Sequence, residues 1–258
     1  MQLELDYNFT LFLLLFLRMS GCVLFNPIIG RRNIPPIIRA GLSLMLTVFT
    51  YPFIPQQTLH ISSPIIFAVC SVKELLIGFT IGFLIQMVES VLIMAGEQMD
   101  LQIGISMSKI YDPQSNISMP LSASLVNAMF MLIFFVTNSH LTLMELFVKL
   151  GTAVPYGDEM ISADVFGKLS SVFGLMLIYA AKLCLPIVAV ELVAQIGIGI
   201  MMKAVPQIDI FTIEIQLKII IGFLAIVVLA PPFASFIEEL IRAMFQNIGG
   251  IYSILTAG

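Results

Sequence analysis

"VKELLIGFTIGFLIQMVES", residues 72–90, is apolar enough to pass for a membrane-spanning helix, yet it sets Lys73, Glu74, Gln86, Glu89 and Ser90 among its aliphatic residues. Glu74, Gly78, Gly82, Gln86 and Ser90 recur every four residues. Residues four apart share one face of a helix, so the series predicts a narrow stripe of polar and small groups. Gly78 and Gly82 form a GxxxG match, which lets two backbones approach closely. Glu191, Gln195, Gly199 and Lys203 repeat the spacing, and Glu214, Lys218 and Gly222 repeat it again. A four-residue repeat exceeds 3.6, so each stripe drifts around its helix and favours right-handed crossings. Glu214 also precedes Lys218 in the favourable order for an i,i+4 ion pair.

The whole chain has this character. Of its 258 residues, 59% are hydrophobic and 11% charged, with mean hydropathy +1.04. A soluble domain carries about 25% charge, so the composition is that of a membrane protein. The net charge of −4 is small and scattered, which excludes a nucleic-acid footprint. Cys22, Cys70 and Cys184 stand alone in apolar segments and read as small buried hydrophobes. The N-terminus does not read as a secretory signal, because Glu4 and Asp6 replace a basic region and Arg18 interrupts the apolar run.

Six apolar segments follow one another: about 9–29, 36–54, 64–96, 119–150, 170–204 and 211–246. A span needs about 20 mostly apolar residues, and the second segment is marginal. Turn chemistry separates them, at Asn26-Pro27, Pro35-Pro36, Pro52 with Pro55, Pro113, Pro155-Tyr156-Gly157 and Pro206-Gln207. The basic cluster Arg31, Arg32 and Arg39 assigns the first connection to the cytoplasm. The segments carry Arg18, Lys73, Glu74, Glu89, Lys182, Glu191, Lys203, Glu214 and Lys218. Each costs about 2.5–3.5 kcal/mol at a lipid-exposed helix centre. These groups must therefore face protein or water, or lie outside the hydrocarbon. Pro186, and the pair Pro231-Pro232, interrupt helical hydrogen bonds that neighbours must then satisfy. The pattern is all-α, and it is that of a subunit buried in a larger assembly. Internal pairing within the chain is the competing reading of the charged stripes, and Arg18 is expected to pair with a neighbouring side chain or a carbonyl.

No catalytic constellation is present. His60 and His140 are isolated, with no HExxH, P-loop, GxSxG or CxxC. The 16 methionines are dispersed without Cys or His pairs, which fits core packing better than soft-metal transport. Glu89 and Asp100 have no partner at a spacing that would make a proton relay. The reading is non-enzymatic, without cofactor or metal.

Three blocks carry a family resemblance: "RMSGCVLFNPIIGRRNIPPIIRAGLSLML" (18–46), "AGEQMDLQIGISMSKIYDPQSN" (95–116) and "MKAVPQIDIFTIEIQLKIIIGF" (202–223). Together they resemble the FliR/SctT family, the R subunits of flagellar and injectisome type III export gates. The resemblance covers nearly the whole chain and leans flagellar. It implies hydrophobic helical hairpins, with a P-subunit-like portion over 1–164 and a Q-subunit-like hairpin over 165–258 that turns at Pro206 to Asp209. It implies packing in a right-handed helical hetero-oligomer with P and Q subunits, in the bacterial inner membrane at the flagellar basal body, much of it above the membrane plane. An FlhB-type switch protein, rod- and hook-side proteins and unfolded export substrates are the other implied partners. Subunit contacts then fall on Glu74, Gly78, Gly82, Gln86, Glu191, Gln195, Gly199, Lys203, Pro206, Gln207, Glu214 and Lys218.

The same resemblance implies a pore plug at Gly104, Ile105, Ser106, Met107, Ser108, Lys109, Ile110, Tyr111 and Asp112. Flexible apolar side chains can close a pore and move aside, and Met suits this because it refills irregular gaps. Gly104 and Pro113 bound the segment and permit non-helical backbone, which membrane depth tolerates only against protein or a cavity. Met107 and Ile110 stand where relatives carry bulky aromatics, and Lys109 departs from the pattern as well. An interfacial loop against a neighbouring subunit is the plainer reading of 104–116. The alternative function is a small secondary transporter with a midplane site at broken helices near Pro186 and 97–116. Such proteins show internal repeats, and none is visible between the two halves.

Overall fold

A computed structural model describes residues 7–31, 34–55, 63–106, 120–157, 163–204 and 210–257. Among them the secondary structure is helical throughout: α1 (Tyr7–Leu24), α2 (Pro36–Thr50), a 3-10 turn (Tyr51–Phe53), α3 (Pro64–Ile103), α4 (Leu121–Val136), α5 (Ser139–Ala153), α6 (Ala163–Ala204), α7 (Ile210–Val228) and α8 (Ala230–Ala257). The all-α expectation holds. Four helices are long and apolar enough to cross a membrane, or up to six if each of two bent pairs is one span. At 1.5 Å per residue, the 40 residues of α3 reach about 60 Å, roughly twice a hydrocarbon core of about 30 Å.

The chain divides into two compact units: Met1–Val88 with Asn138–Phe173 and Arg242–Gly258, and Glu89–Thr137 with Gly174–Ile241. In the first unit α1 packs on α2 and α5, and α2 on α5. Leu11, Leu14, Leu15, Arg18, Met19 and Cys22 are buried on α1, the i, i+3, i+4 pattern of one face. The helix ends where Asn26 Oδ1 accepts the backbone N–H of Ile28 at 2.8 Å, and Gly30 N–H closes on Asn26 O at 2.7 Å. Pro36 then opens α2 at its first position, where the missing N–H costs no helical bond.

α2 is inverted relative to a soluble helix. Ser43, Thr47 and Thr50 are buried, while Ile37, Ile38, Leu44, Met45, Val48 and Phe49 are exposed. The Ser43 and Thr47 hydroxyls donate to the carbonyls of Arg39 and Ser43, four residues back, at 3.0 and 2.7 Å. This satisfies the Ser43 and Thr47 hydroxyls within the helix itself, whereas the Thr50 hydroxyl has no hydrogen-bond partner among the described residues.

Two glycines set the crossing of α1 and α3. A Cβ added to Gly21 would lie 2.6 Å from Leu75 O and 3.0 Å from Gly78 Cα. One added to Gly78 would meet Arg18 O and come within 2.9 Å of Cys22 N. Phe25 and Phe79 stack edge to face beside this crossing, centroids 4.6 Å apart.

In the second unit, Gly96 of α3 meets the backbone of Ala123 on α4, and Gly222 of α7 receives the Ile103 side chain, nearest atom 2.6 Å from an added Cβ. Tyr179 of α6 meets Phe236 of α8 at 5.7 Å. The segment read as continuous over 119–150 is two helices, because Asn138 adopts a left-handed conformation, φ 55°, which Asn tolerates better than most residues. The sixth segment also splits, at Leu229, with a 60° bend between α7 and α8. Pro231 and Pro232 withhold the N–H groups that would continue the ladder there. Pro186 acts differently: α6 runs through it as one helix of 42 residues. One proline removes one bond, and the flanking turns hold.

Gly78→Val should lower the melting temperature of the detergent-solubilised protein or prevent its recovery, since backbone stands where the side chain would go and overpacking costs about 1–3 kcal/mol or more. Gly174→Ala, with open space around it, should leave melting unchanged or raise stability by about 0.5–1 kcal/mol. Circular dichroism melts compare the two. Equal tolerance would show that the α1–α3 crossing does not depend on Gly78.

Candidate functional site

The segment assigned to the plug begins where α3 ends. Gly104 takes φ +92° with nothing within 4 Å of an added Cβ, and its N–H closes the last turn on Asp100 O at 3.1 Å. Ile105 and Ser106 follow and are half-buried. Met107, Ser108, Lys109, Ile110, Tyr111 and Asp112 lie outside the described residues, as do Pro206 and Gln207.

Asp100 returns the chain. It is 1% exposed. Its Oδ2 accepts the N–H of Leu121 at 2.6 Å, and its Oδ1 accepts that of Ser122 at 3.0 Å. These are first-turn amides of α4, a helix whose N-cap residue, Pro120, supplies no side-chain cap. A carboxylate here satisfies orphan N–H groups and meets the positive end of the helix dipole. Sequence spacing could not reveal this role, because the capped residues lie 21 and 22 positions away.

The three stripes have separate fates. On α3, Glu74, Gly78 and Gly82 are buried against α1 of the same chain, and Gln86 is exposed. On α7, Glu214 and Lys218 pair at 2.9 Å, the expected i,i+4 geometry, and Gly222 packs on Ile103. On α6, Glu191 is 0% exposed and neither carboxylate oxygen has a hydrogen-bond partner. Gln195, Gly199 and Lys203 are exposed. The flanks of that helix are apolar and open at Leu185, Val190, Leu192, Val193, Ile196 and Ile200. The α6 stripe is thus the one that presents a continuous open run.

Arg18 answers the charge of Glu74. Its Nε donates to Glu74 Oε2 at 2.6 Å. Nη1 donates to Leu150 O at 2.8 Å and Val154 O at 2.7 Å, and Nη2 to Pro155 O at 3.0 Å. Leu150 is in the last turn of α5 and Val154 is its C-cap, so a cation sits on orphan carbonyls at the negative end of a helix. Tyr156 covers the guanidinium, 3.8 Å from ring centroid to Cζ, and its hydroxyl donates to Gly151 O at 2.5 Å. Burial pushes the Tyr156 phenol well above its ordinary value. Arg18 therefore pairs with both a side chain and carbonyls, as its place in an apolar run implies. Among the described residues, no three His, Cys, Asp or Glu side chains gather into a possible metal site.

This is an all-α protein of membrane type, in which Arg18, Glu74 and Asp100 are buried and link different helices. Comparison with known proteins agrees. The sequence model described as bacterial export proteins, family 1, matches residues 9–244. The flagellar biosynthetic protein FliR of Escherichia coli (strain K12) is 30% identical over 240 residues, covering 93% of this chain and 91% of that protein. FliR of Bacillus subtilis (strain 168) is 28% identical over 228 residues, covering 85% and 86%, and FliR of Pectobacterium carotovorum is 26% identical over 246 residues, covering 94% and 92%. The chain belongs to the bacterial export proteins, family 1, and within it to the FliR family.

Arg18→Ala strands Glu74 in the interior, and breaking a buried pair costs about 3–5 kcal/mol. The expected outcome is little folded protein in membranes, and the Arg18→Met, Glu74→Leu double variant should accumulate better than Arg18→Ala. An alkaline titration tests Tyr156. With its pKa raised on folding, its contribution is complete below the unfolded value and declines as pH rises above about 10. Melting temperature should fall in that range for the parent and fall less for Tyr156→Phe.

Proposed function

We propose that this chain is the non-enzymatic R-type subunit of a flagellar type III protein export gate in the bacterial inner membrane. With P and Q subunits it closes a pore through which unfolded substrates pass, contacting an FlhB-type switch protein on one side and rod- and hook-side proteins on the other. The observation that carries the reading is the family match along 9–244, joined to helices that bury their charges and turn apolar surface outward. Residues 1–164 form the P-like portion and 165–258 the Q-like hairpin. Subunit contacts fall on the three stripes, and the α6 stripe, Glu191 through Lys203, makes the largest of them, since Gln195, Gly199 and Lys203 are exposed while Glu74, Gly78 and Gly82 are buried against α1. The length of α3 and α6 supports a gate that extends beyond the hydrocarbon.

Gly104 to Asp112 is the plug. A pore wide enough for an unfolded chain leaks ions at rest unless apolar side chains fill it, and dewetting completes the seal. α3 delivers the chain to this segment at Gly104, and α4 receives it back at Leu121.

Deleting 106–110 should raise the resting ion conductance of cells carrying the gate while the complex still assembles. A deletion strain as tight as the parent would remove the plug assignment. Glu191→Ala and Lys203→Ala should each reduce co-purification of P and Q subunits several-fold, and normal recovery from both would argue that α6 is not the contact. Purification also separates the alternative function, because a secondary transporter is stable alone whereas a gate subunit needs its partners. The continuous α6 at Pro186 offers that alternative no broken helix at the place it requires.

A further inference from the structure

We infer that Asp100 is a positioning residue for the seal: it ties the exit and the return of the 104–120 segment to one point. The inference rests on the plug reading above and goes beyond it, since Asp100 lies in a helix and outside the plug itself.

Three observations on the described residues carry it. First, both carboxylate oxygens of Asp100 are committed to α4, one to Leu121 N–H at 2.6 Å and one to Ser122 N–H at 3.0 Å, and the side chain is buried. The last turn of α3 and the first turn of α4 are thereby joined directly. Second, the contact has no slack around it. One turn back from Asp100, Gly96 has the Ala123 backbone where its Cβ would be, and one turn on, Ile103 fills the space above Gly222 of α7. The end of α3 is thus held from α4 and from α7. Third, α3 ends at Ile103, and the next residue, Gly104, takes φ +92° with nothing within 4 Å of an added Cβ.

The physical consequence is a closed loop with a fixed base. Joining residue 100 to residue 121 removes the freedom of the two ends to separate, so whatever the intervening residues fill is filled from a constant origin. The joint is a charge-assisted cap on a helix N-terminus, stronger than a neutral one. Pro120 supplies no cap of its own, so nothing local replaces Asp100 when it is lost. A cap with only a stabilising role would, when removed, lower the amount of complex and leave the tightness of the assembled gate alone. A positioning role loosens the seal in gates that assemble normally.

The test compares the parent, Asp100→Asn, Asp100→Ala and the 106–110 deletion in the assembled complex. Hydrogen exchange of the peptide containing Leu121 and Ser122 reads the joint, resting ion conductance reads the seal, and complex recovery reads assembly. Asp100→Ala should raise exchange at that peptide about tenfold, as loss of a helix cap does. Conductance should rise above the parent and stay below the deletion at comparable recovery. Asp100→Asn keeps the shape and one acceptor, and should fall between parent and Ala in both readouts. Unchanged exchange in Asp100→Ala overturns the joint. Raised exchange with parental conductance, while the deletion leaks, overturns the positioning role and leaves the plug reading standing. If the deletion itself does not leak, the plug reading falls, the link to the seal falls with it, and exchange alone decides whether Asp100 joins the two helices.

Discussion

A guanidinium buried between apolar helices must have its N–H groups answered, because an unsatisfied charged donor in the interior costs several kcal/mol. Arg18 meets this demand with Glu74 and with the carbonyls of Leu150, Val154 and Pro155. That single requirement brings α1, α3 and the end of α5 together, elements separated by up to 137 positions in the chain. The glycines Gly21 and Gly78 serve the same junction. Only without their Cβ atoms can α1 approach α3 closely enough for Nε to reach the carboxylate. Tyr156 completes it by covering the cation and holding Gly151 O, and the Cys70 thiol pins the following turn at Gly157 O, 3.1 Å away.

The same electrostatic logic operates within each unit, at the N-terminus of α4 and at the C-terminus of α5. Asp100 places negative charge at the N-terminus of α4, and Arg18 places positive charge at the C-terminus of α5. Each sign complements the helix dipole it meets. Helix ends in an apolar setting cannot leave N–H and C=O groups to water, so long-range side chains take the place of solvent. Within α6, Glu191 is buried and neither carboxylate oxygen has a hydrogen-bond partner, while Gln195, Gly199 and Lys203 further along the helix are exposed.

The outward surface follows from the same solvent argument. α2 hides Ser43, Thr47 and Thr50 and shows its aliphatic residues. α6 also shows aliphatic side chains, among them Ile178, Leu185, Val193, Ile196 and Ile200. For a protein in water this would expose a large apolar patch, which is rare in monomers. For a chain of an export family, surrounded by lipid or by other subunits, it is the arrangement of lowest cost.

The sequence by itself determined the helical class, the membrane composition, the proline-marked connections and the Glu214–Lys218 pair, because these depend on residues within one turn or one segment of each other. It also marked Arg18 and Glu74 as groups that needed partners. It did not show that they are each other's partners, that Asp100 caps α4, or that Gly78 and Gly82 of the α3 stripe pack against α1. Those contacts join residues far apart, and periodicity on one helix says which face is polar without saying what meets it. Local signals failed where two outcomes lay close in energy: Pro186 leaves α6 continuous, while Asn138 and the Pro231-Pro232 pair divide segments whose hydropathy is unbroken. Only the tertiary structure decided these, because the neighbours that satisfy or strand a backbone group are chosen by packing and not by the chain's own order.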